Sequence, residues 1–567
     1  MVPPKQTGFS QKLERLRREG EERAAERLAQ ELGLSYVDFS RVPVLSDALK
    51  LVSEETAKNA KVASIEVNAK KVALAVVDPR LPATQKIIKD LENKKYEVKI
   101  FIASLSALQG VWSQYKFVKK AVGEITGKVN LTQKKIETLV EKLVNFTAVE
   151  QEIKNLDFLK TTPVDLMEAV LASAFALKAS DIHFEAKEKK AKVRLRVDGL
   201  LHDVFDELPL KNYDALVSRI KLLSGMKINV RDEAQDGRFT INFGDKEIEI
   251  RVSAIPSEFG ENIVMRILDP EVAKIGVAAL GIRDDDLAIV EKELSKPNGL
   301  ILNTGPTGSG KTTTLYAFLE ELNDPEVKII TLEDPLEYRL EGIEQTQVDP
   351  DAGYTFANGL RAVVRQDPDV IFVGEVRDLE TADIAIQSAL TGHLVLSTLH
   401  TNDAVGAVPR LVNLGVKAVS IGPALNLIIA QRLVRKLCPH CRKPVEPSSE
   451  LKSKIKKFLE KLPPRVRKSN YEKFKIYESG SPRFAGEAGG CDKCNGFGYK
   501  GRVGIFEFLE GGAEFEGVVL KEPSEVSLKK LAERQGMVTM QEDGVLKVLK
   551  GETSFREVEN ATGEIEW

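Results

Sequence analysis

The sequence has 567 residues, 43% of them hydrophobic and 29% charged, with a formal net charge of -3. A chain of this length exceeds one hydrophobic core, which predicts about three or four domains, and its balanced charge gives no general reason to bind nucleic acid. No run reaches the roughly 18 apolar residues of a membrane helix; the best candidate, Leu411–Ala430, is interrupted by Asn413, Lys417 and Pro423 and reads as buried structure.

Residues 1–30 read as one charged helix. The stretch Lys12–Arg27 lacks the apolar centre of an export signal, which places the chain in the cytoplasm. A small mixed module is expected over 31–117. In it Lys71–Asp78 reads as a strand ended by Pro79, Pro82 opens a helix running to about Asn93, and Tyr96–Ala103 reads as another strand. Residues 118–160, rich in Lys and Glu with Ile and Leu at helical spacing, suit a helical linker. A second α+β module over 161–268 opens with an amphipathic helix, Asp165–Ala179. Alternating strands follow, among them Lys192–Asp198 and Glu247–Ser253. From 269 the pattern changes to short apolar runs separated by helices, which predicts a parallel, helix-covered α/β sheet. A basic insert over 436–505 and helices over 510–567 complete the chain.

The segment Gly305-Pro306-Thr307-Gly308-Ser309-Gly310-Lys311-Thr312 satisfies the G-x-x-x-x-G-K-[ST] pattern in full, with Thr313 next in the chain. The strand candidate Leu300–Asn303 precedes it and the helix candidate Thr312–Leu322 follows. Glycines let backbone amides curl around phosphate oxygens, and the helix N-terminus adds its positive dipole end. Lys311 is expected at the β- and γ-phosphates of ATP and the Thr312 hydroxyl on Mg2+.

A second apolar strand, Asp369–Glu375, ends in a carboxylate. Parallel strands deliver their C-terminal ends to the ligand crevice, so Glu375 is placed to orient and deprotonate the attacking water; the alternative is a carboxylate that caps a turn. A third strand, Lys328–Leu332, runs into Glu333-Asp-Pro-Leu-Glu337, carboxylates suited to Mg2+ or its waters, or to a solvated turn. A fourth, His393–Leu399, leads into His400, which suits either a structural hydrogen bond or contact with the nucleotide region. Arg361, Arg365 and Arg377 lie around these elements; arginine stabilises a transferring phosphoryl group, but many surface arginines make only weak ion pairs.

All four cysteines fall in two pairs, Cys438-Pro-His-Cys441 and Cys491-Asp-Lys-Cys494. Two such knuckles complete a tetrahedral Zn2+ site with no open position, hence a structural one; redox cysteines are the rival reading. The surrounding insert is basic, which suits either a solvated surface or an acidic partner or anionic lipid.

Together these motifs carry a family resemblance. Ile330–Tyr338 looks like the aspartate box, Arg365–Asp378 like the Walker B region and Thr391–Asn402 like the histidine box of the secretion ATPases that drive type IV pilus assembly (PilB-like) and type II secretion (GspE-like). The likeness runs from about residue 31 to the C-terminus. It implies a homohexameric motor: a RecA-like P-loop ATPase domain over 269–567, preceded by a PAS-like α+β domain over 161–268 that covers the nucleotide of the same or a neighbouring subunit. By matching position Lys311 and Thr312 bind phosphate and Mg2+, Glu333 supports the site, Glu375 is catalytic, and Arg251 and Arg266 reach the γ-phosphate. The resemblance further implies a motor peripheral to the inner membrane, turning a platform protein there, with the early module docked on a cytoplasmic ring component. Retraction motors of the family lack both the early module and the metal insert, so their presence favours assembly or secretion. Some relatives bind a cyclic dinucleotide through a longer repeated Arg-Leu-Gly motif; Arg27–Gly33 running into Leu34–Asp38 is only a shorter version. A nucleic-acid translocase and an inactive scaffold remain the rival classes. Balanced charge and an aromatic content of 6% speak against the first, and the joint presence of Lys311, Thr312 and Glu375 against the second.

Overall fold

The computed structural model describes residues 8–37, 39, 46–49, 51–52, 54–68, 71–93, 96–112, 115, 133–143, 145–480 and 490–567. Residues 1–7 of the expected N-terminal helix, Asp38 of the short motif and 118–132 of the expected linker lie outside them. The chain divides into two units, residues 1–126 and 127–567.

In the first unit the charged helix spans Gly8–Leu32. A four-stranded sheet follows in the order β1 (Ser35–Tyr36), β4 (Glu97–Ile102), β3 (Lys71–Val76), β2 (Val62–Asn68). β3 and β4 are parallel and joined by the helix Pro82–Asn93. Leu74, Val76, Ile102 and Leu108 are buried against this sheet, and Trp112 donates its indole N–H to the Val62 carbonyl at 2.9 Å.

The second unit begins with a departure from expectation. The helices Gln133–Lys142 and Phe146–Lys154 do not form a spacer: Ile136, Leu143, Phe146, Val149 and Ile153 are buried in the core of the following module. Lys and Glu cover only their outer faces, so composition alone suggested a solvated linker. The next helix starts at Pro163 rather than Asp165, because Thr162 and Asp165 form a reciprocal capping box with Pro163 at the first helical position.

The core of this module packs on a six-stranded antiparallel sheet, ordered β7 (Leu200–Pro209), β6 (Lys190–Val197), β5 (Asp181–Ala186), β10 (Gly260–Leu268), β9 (Lys246–Ser257), β8 (Gln235–Phe243). Alternation sends Ile182, Phe184, Val193, Leu195, Ile250, Val252, Ile263 and Met265 into the core. The opposite face is charged. Register there sets Arg196 opposite Asp181, Asp181 opposite Arg266, Arg266 opposite Arg251 and Arg251 opposite Arg238, one row across five strands.

The third sheet has seven strands in the order β13 (Glu344–Gln347), β12 (Ile329–Glu333), β14 (Val370–Val373), β15 (Leu394–Leu399), β11 (Gly299–Thr304), β16 (Leu425–Leu437), β19 (Tyr499–Glu510). All neighbours are parallel except β16 and β19. β11, β12, β14 and β15 are buried along their whole length, as a sheet covered by helices on both faces requires. The apolar run 411–430 is divided among the helices Ala407–Leu414 and Ala418–Ala424 and the start of β16. Among the described residues no helix is long and apolar enough to cross a membrane.

Between β16 and β19 lie the hairpin β17 (Lys443–Val445) with β18 (Ile476–Glu478) and the basic helix Ser449–Lys461. That helix buries Ile455, Phe458 and Leu459 against Val545, Leu546 and Val558 of the C-terminal helices, while its lysines stay exposed.

Candidate functional site

The phosphate loop leaves the C-terminal end of β11 and enters the helix Lys311–Leu322. Gly305, Gly308 and Gly310 hold positive φ of 146°, 80° and 92°. At Gly305 a Cβ would also lie 2.5 Å from the Gln431 carbonyl oxygen, so the turn requires glycine twice over. Pro306, Thr307 and Gly308 are exposed, whereas Ser309 is buried and its Oγ has no hydrogen-bond partner. An exposed backbone cradle beside an orphaned hydroxyl fits a phosphate ligand. Thr312 and Thr313 are half-buried on the first turn of the helix. Lys311 donates to the carbonyl oxygens of Gly305 at 2.7 Å and Pro306 at 3.2 Å. Burial pulls its ammonium below the usual lysine range, and the charges of Glu375 and Glu337 oppose that shift.

Glu333 ends β12 and is 3% exposed. It accepts hydrogen bonds from Thr331 Oγ1 at 2.6 Å, from Gln345 Nε2 at 3.3 Å and from the Tyr316 hydroxyl. Tyr316 belongs to the phosphate-loop helix, so this carboxylate ties β12 to that helix. Burial raises the Glu333 carboxyl above the usual range despite these three donors.

Glu375 follows β14 by way of Gly374, whose N–H is bonded to the Leu332 carbonyl at 2.8 Å. Its carboxylate pairs with the Arg377 guanidinium and lies 3.6 Å from His400 Nε2. Arg377 reaches Asp334 at 3.7 Å, and its ion pair with Glu375 raises its pKa. Four strand ends therefore bring Lys311, Glu333, Glu375 and His400 to one edge of the sheet, where parallel α/β sheets bind ligands.

The preceding module reaches the same edge. Arg251 donates to the Leu336 carbonyl, in the loop that follows Glu333. Arg266 bonds Asp181 at 2.9 Å. Burial would lower its pKa, but Asp181 outweighs that and Glu337 and Tyr338 add to the rise. The two other arginines expected here are not drawn into these contacts. Arg361 pairs with Glu380 and bonds Asn358, and Arg365 is exposed.

The four cysteines converge as expected, every Sγ within 4.8 Å of the others. The separations are 3.9 Å for Cys438–Cys491, 3.7 Å for Cys441–Cys494 and 3.9 Å for Cys491–Cys494. Tetrahedral Zn2+ with Zn–S near 2.3 Å sets its sulfurs about 3.8 Å apart, so the donor set fits. Burial and the neighbouring sulfurs push the Cys441 thiol up to about 12, so a cation among the four would favour its thiolate.

A family model described as type II/IV secretion system protein matches residues 160–560. The chain belongs to this family. A second model, the MshEN domain, matches residues 32–117 of this secretion ATPase. The type II secretion system protein E of Pseudomonas aeruginosa is 43% identical over 402 residues, 71% of this chain and 76% of that protein. The type IV pilus assembly ATPase PilB of Myxococcus xanthus is 36% identical over 538 residues, 94% of this chain and 89% of that protein. The X-ray structure of the Legionella pneumophila ATPase DotB shares the fold at TM-score 0.50 and 23% identity, covering 70% of this chain and 95% of its own. The seven-stranded domain is thus the RecA-like ATPase domain of a secretion ATPase, and the enzyme is an ATP hydrolase.

Several further residues support these groups or extend their rows without belonging to any motif. Gln431, buried in β16, accepts from Asn303 Nδ2 at 3.0 Å and Thr314 Oγ1 at 2.9 Å directly behind the phosphate loop. Arg238 extends the arginine row and pairs loosely with Glu249 at 3.8 Å. Tyr316 and Gln345 hold Glu333. The one available signal was the polar Gln431 directly after the apolar run Leu427–Ala430 of β16.

Proposed function

We propose that this ATPase cleaves ATP between the phosphate loop, Glu333 and Glu375, works as a ring of six copies, and powers assembly of a type IV pilus or a type II secretion pseudopilus. The observation that carries the catalytic part is the placement of Glu375. It is held by Arg377 and His400 at the ligand edge, and its charge acts on Lys311. Backbone amides of residues 305–313 cradle the phosphates, and Lys311 exchanges its two loop carbonyls for β- and γ-phosphate oxygens. Thr312 would hold Mg2+, with Glu333 behind it; the ion supplies charge neutralisation on those phosphates. Glu375 accepts a proton from water, the water oxygen bonds to the γ-phosphorus, and the bond to the β–γ bridging oxygen breaks to release ADP.

Arg251 and Arg266 supply the coupling. The Arg251 bond to the Leu336 carbonyl and the charge of Glu337 on Arg266 support a role in which both arginines meet a γ-phosphate that ADP lacks, so that the two nucleotides favour different lobe positions. In this reading Zn2+ is structural. The platform protein at the inner membrane receives the motion, and the MshEN module docks on a cytoplasmic ring component.

Phosphate release and nucleotide affinity test this directly. Lys311→Ala should abolish binding of a fluorescent ATP analogue. Glu375→Gln should keep binding while lowering kcat by about a hundredfold or more, the usual worth of a general base; unchanged kcat would remove Glu375 from that role. Stimulation of turnover by the platform protein rather than by DNA separates a secretion motor from a nucleic-acid translocase.

A further inference from the structure

Glu507 lies in β19, outside every motif, and its side chain is almost wholly buried. One carboxylate oxygen accepts the Ala404 N–H at 2.7 Å; the other accepts the Met540 N–H at 3.0 Å. Neither donor is arbitrary. Ala404 lies in the loop between His400 and the helix Ala407–Leu414, and Met540 is the first residue of the C-terminal helix Met540–Leu549. Helix N-terminal amides lack intrahelical partners and favour an anion.

The register makes the position specific. Leu399 pairs with Thr304, Thr304 with Ala430, and Ala430 with Glu507, so one row crosses four strands at the edge where the phosphate loop departs. The near end of the 400–404 loop is tied to the same row: the Thr401 N–H donates to Thr304 Oγ1 at 2.8 Å, and the two hydroxyls lie 2.7 Å apart. Thr304 thus anchors the loop just after His400, and Glu507 anchors it at Ala404.

We propose that Glu507 is a positioning residue for ATP hydrolysis: its carboxylate clamps the His400 loop to the N-terminus of the C-terminal helix, so that the two move as one. The inference rests on the reading of His400 and Glu375 as parts of the hydrolytic site. An ionised carboxylate accepts at both oxygens, whereas a protonated one presents an O–H to one of the two N–H groups and loses that clamp. Burial pushes the Glu507 carboxyl up to about 7, with Asp403 on the loop and Glu542 on the helix adding to the rise. The clamp therefore engages as pH rises through 7. Stability carries the opposite sign. A carboxyl raised above its unfolded value near 4.3 favours the fold when protonated, and that contribution is lost as pH rises through 7.

The test compares the full-length wild type with Glu507→Gln between pH 6 and 8. Amide exchange of peptides spanning 400–406 and 538–544, corrected for intrinsic rate, is read beside kcat, KM and Tm. In the wild type, protection in these peptides and kcat should rise together through pH 7. In Glu507→Gln both should stay low, with kcat at pH 8 down about tenfold, as a small misplacement produces, and KM within about twofold. The Tm difference between the proteins should change with pH. Flat wild-type exchange across this range overturns the clamp, and so does a Glu507→Gln protein with the wild-type kcat profile. If Glu507→Gln does not fold, the wild-type exchange profile alone decides. A fully active Glu375→Gln enzyme with pH-dependent exchange intact would instead keep the clamp and remove the hydrolytic reading.

Discussion

Gln431 ends the apolar run Leu427–Ala430 of β16, and its side chain shows what the phosphate loop rests on. Its oxygen satisfies Asn303 from β11 and Thr314 from the loop helix, both buried. Replacing it by leucine keeps the volume and strands two donors, each costing about 1–3 kcal/mol. Gln431→Leu should therefore lower the urea midpoint clearly and weaken ADP binding together with it; a variant with wild-type midpoint would show that the loop does not depend on this amide. The contrast with Lys311 explains what was legible in the sequence. Lys311, Thr312 and the four cysteines are recognised by spacings of a few residues, because a turn brings such neighbours together. Gln431 and Glu507 gain their meaning from partners more than a hundred residues away in the chain, and Arg238 from its place in a row across five strands. No local pattern carries that information. Arg361 was singled out only for lying near these elements, and in the structure it pairs with Glu380.

At the scale of elements, period-two alternation pointed to strands such as Lys192–Asp198 and Glu247–Ser253 but not to what lines up across them. Like charges facing each other on adjacent strands are destabilising, and the row Arg196–Asp181–Arg266–Arg251–Arg238 contains one carboxylate. Asp181 is buried, with Arg266 at 2.9 Å and Arg196 at 3.4 Å. Asp181→Asn should cost about 1.5–3 kcal/mol by chemical denaturation, the range for hydrogen bonds to charged groups. The half-exposed Asp203, which pairs with Lys192 and Arg194 on the same face, supplies the control; Asp203→Asn should cost less than about 1 kcal/mol. Equal effects would mean that Asp181 is an ordinary surface partner and that solvent alone disperses the arginine charge. The misread linker belongs to this scale as well. Ile136, Phe146, Val149 and Ile153 repeat at helical spacing as expected, yet spacing cannot say whether an apolar stripe meets a core. Here the stripe does.

Across the whole of the second unit, the tetracysteine knuckle joins two domains that the sequence presents as separate. Phe497, three residues beyond Cys494, belongs to the core of the six-stranded domain although it is covalently part of the ATPase domain. Its ring stacks on His202 with centroids 4.1 Å apart and meets Phe146 edge-on at 5.5 Å. Nearby, the Gly501 N–H donates to Asp198 at 2.8 Å, at the turn between β6 and β7. The sulfur cluster holds the turn that presents Phe497, through Gly498 N–H bonded to Cys494 Sγ at 3.2 Å. A structural metal at the cysteines would therefore act on a domain that contains none of its ligands. Phe497→Ala should keep its zinc, measured by metal analysis, yet raise amide exchange in peptides covering residues 198–205. Cys441→Ser should lose the metal and raise exchange in the same peptides. The truncation also removes a buried ring, worth about 3–5 kcal/mol at a fully packed site and less at this domain boundary, so the six-stranded domain should melt earlier in both variants. Unchanged exchange at 198–205 after metal loss would confine the knuckle to its own subdomain. Faster exchange there would show that the knuckle supports the six-stranded domain as well as its own subdomain.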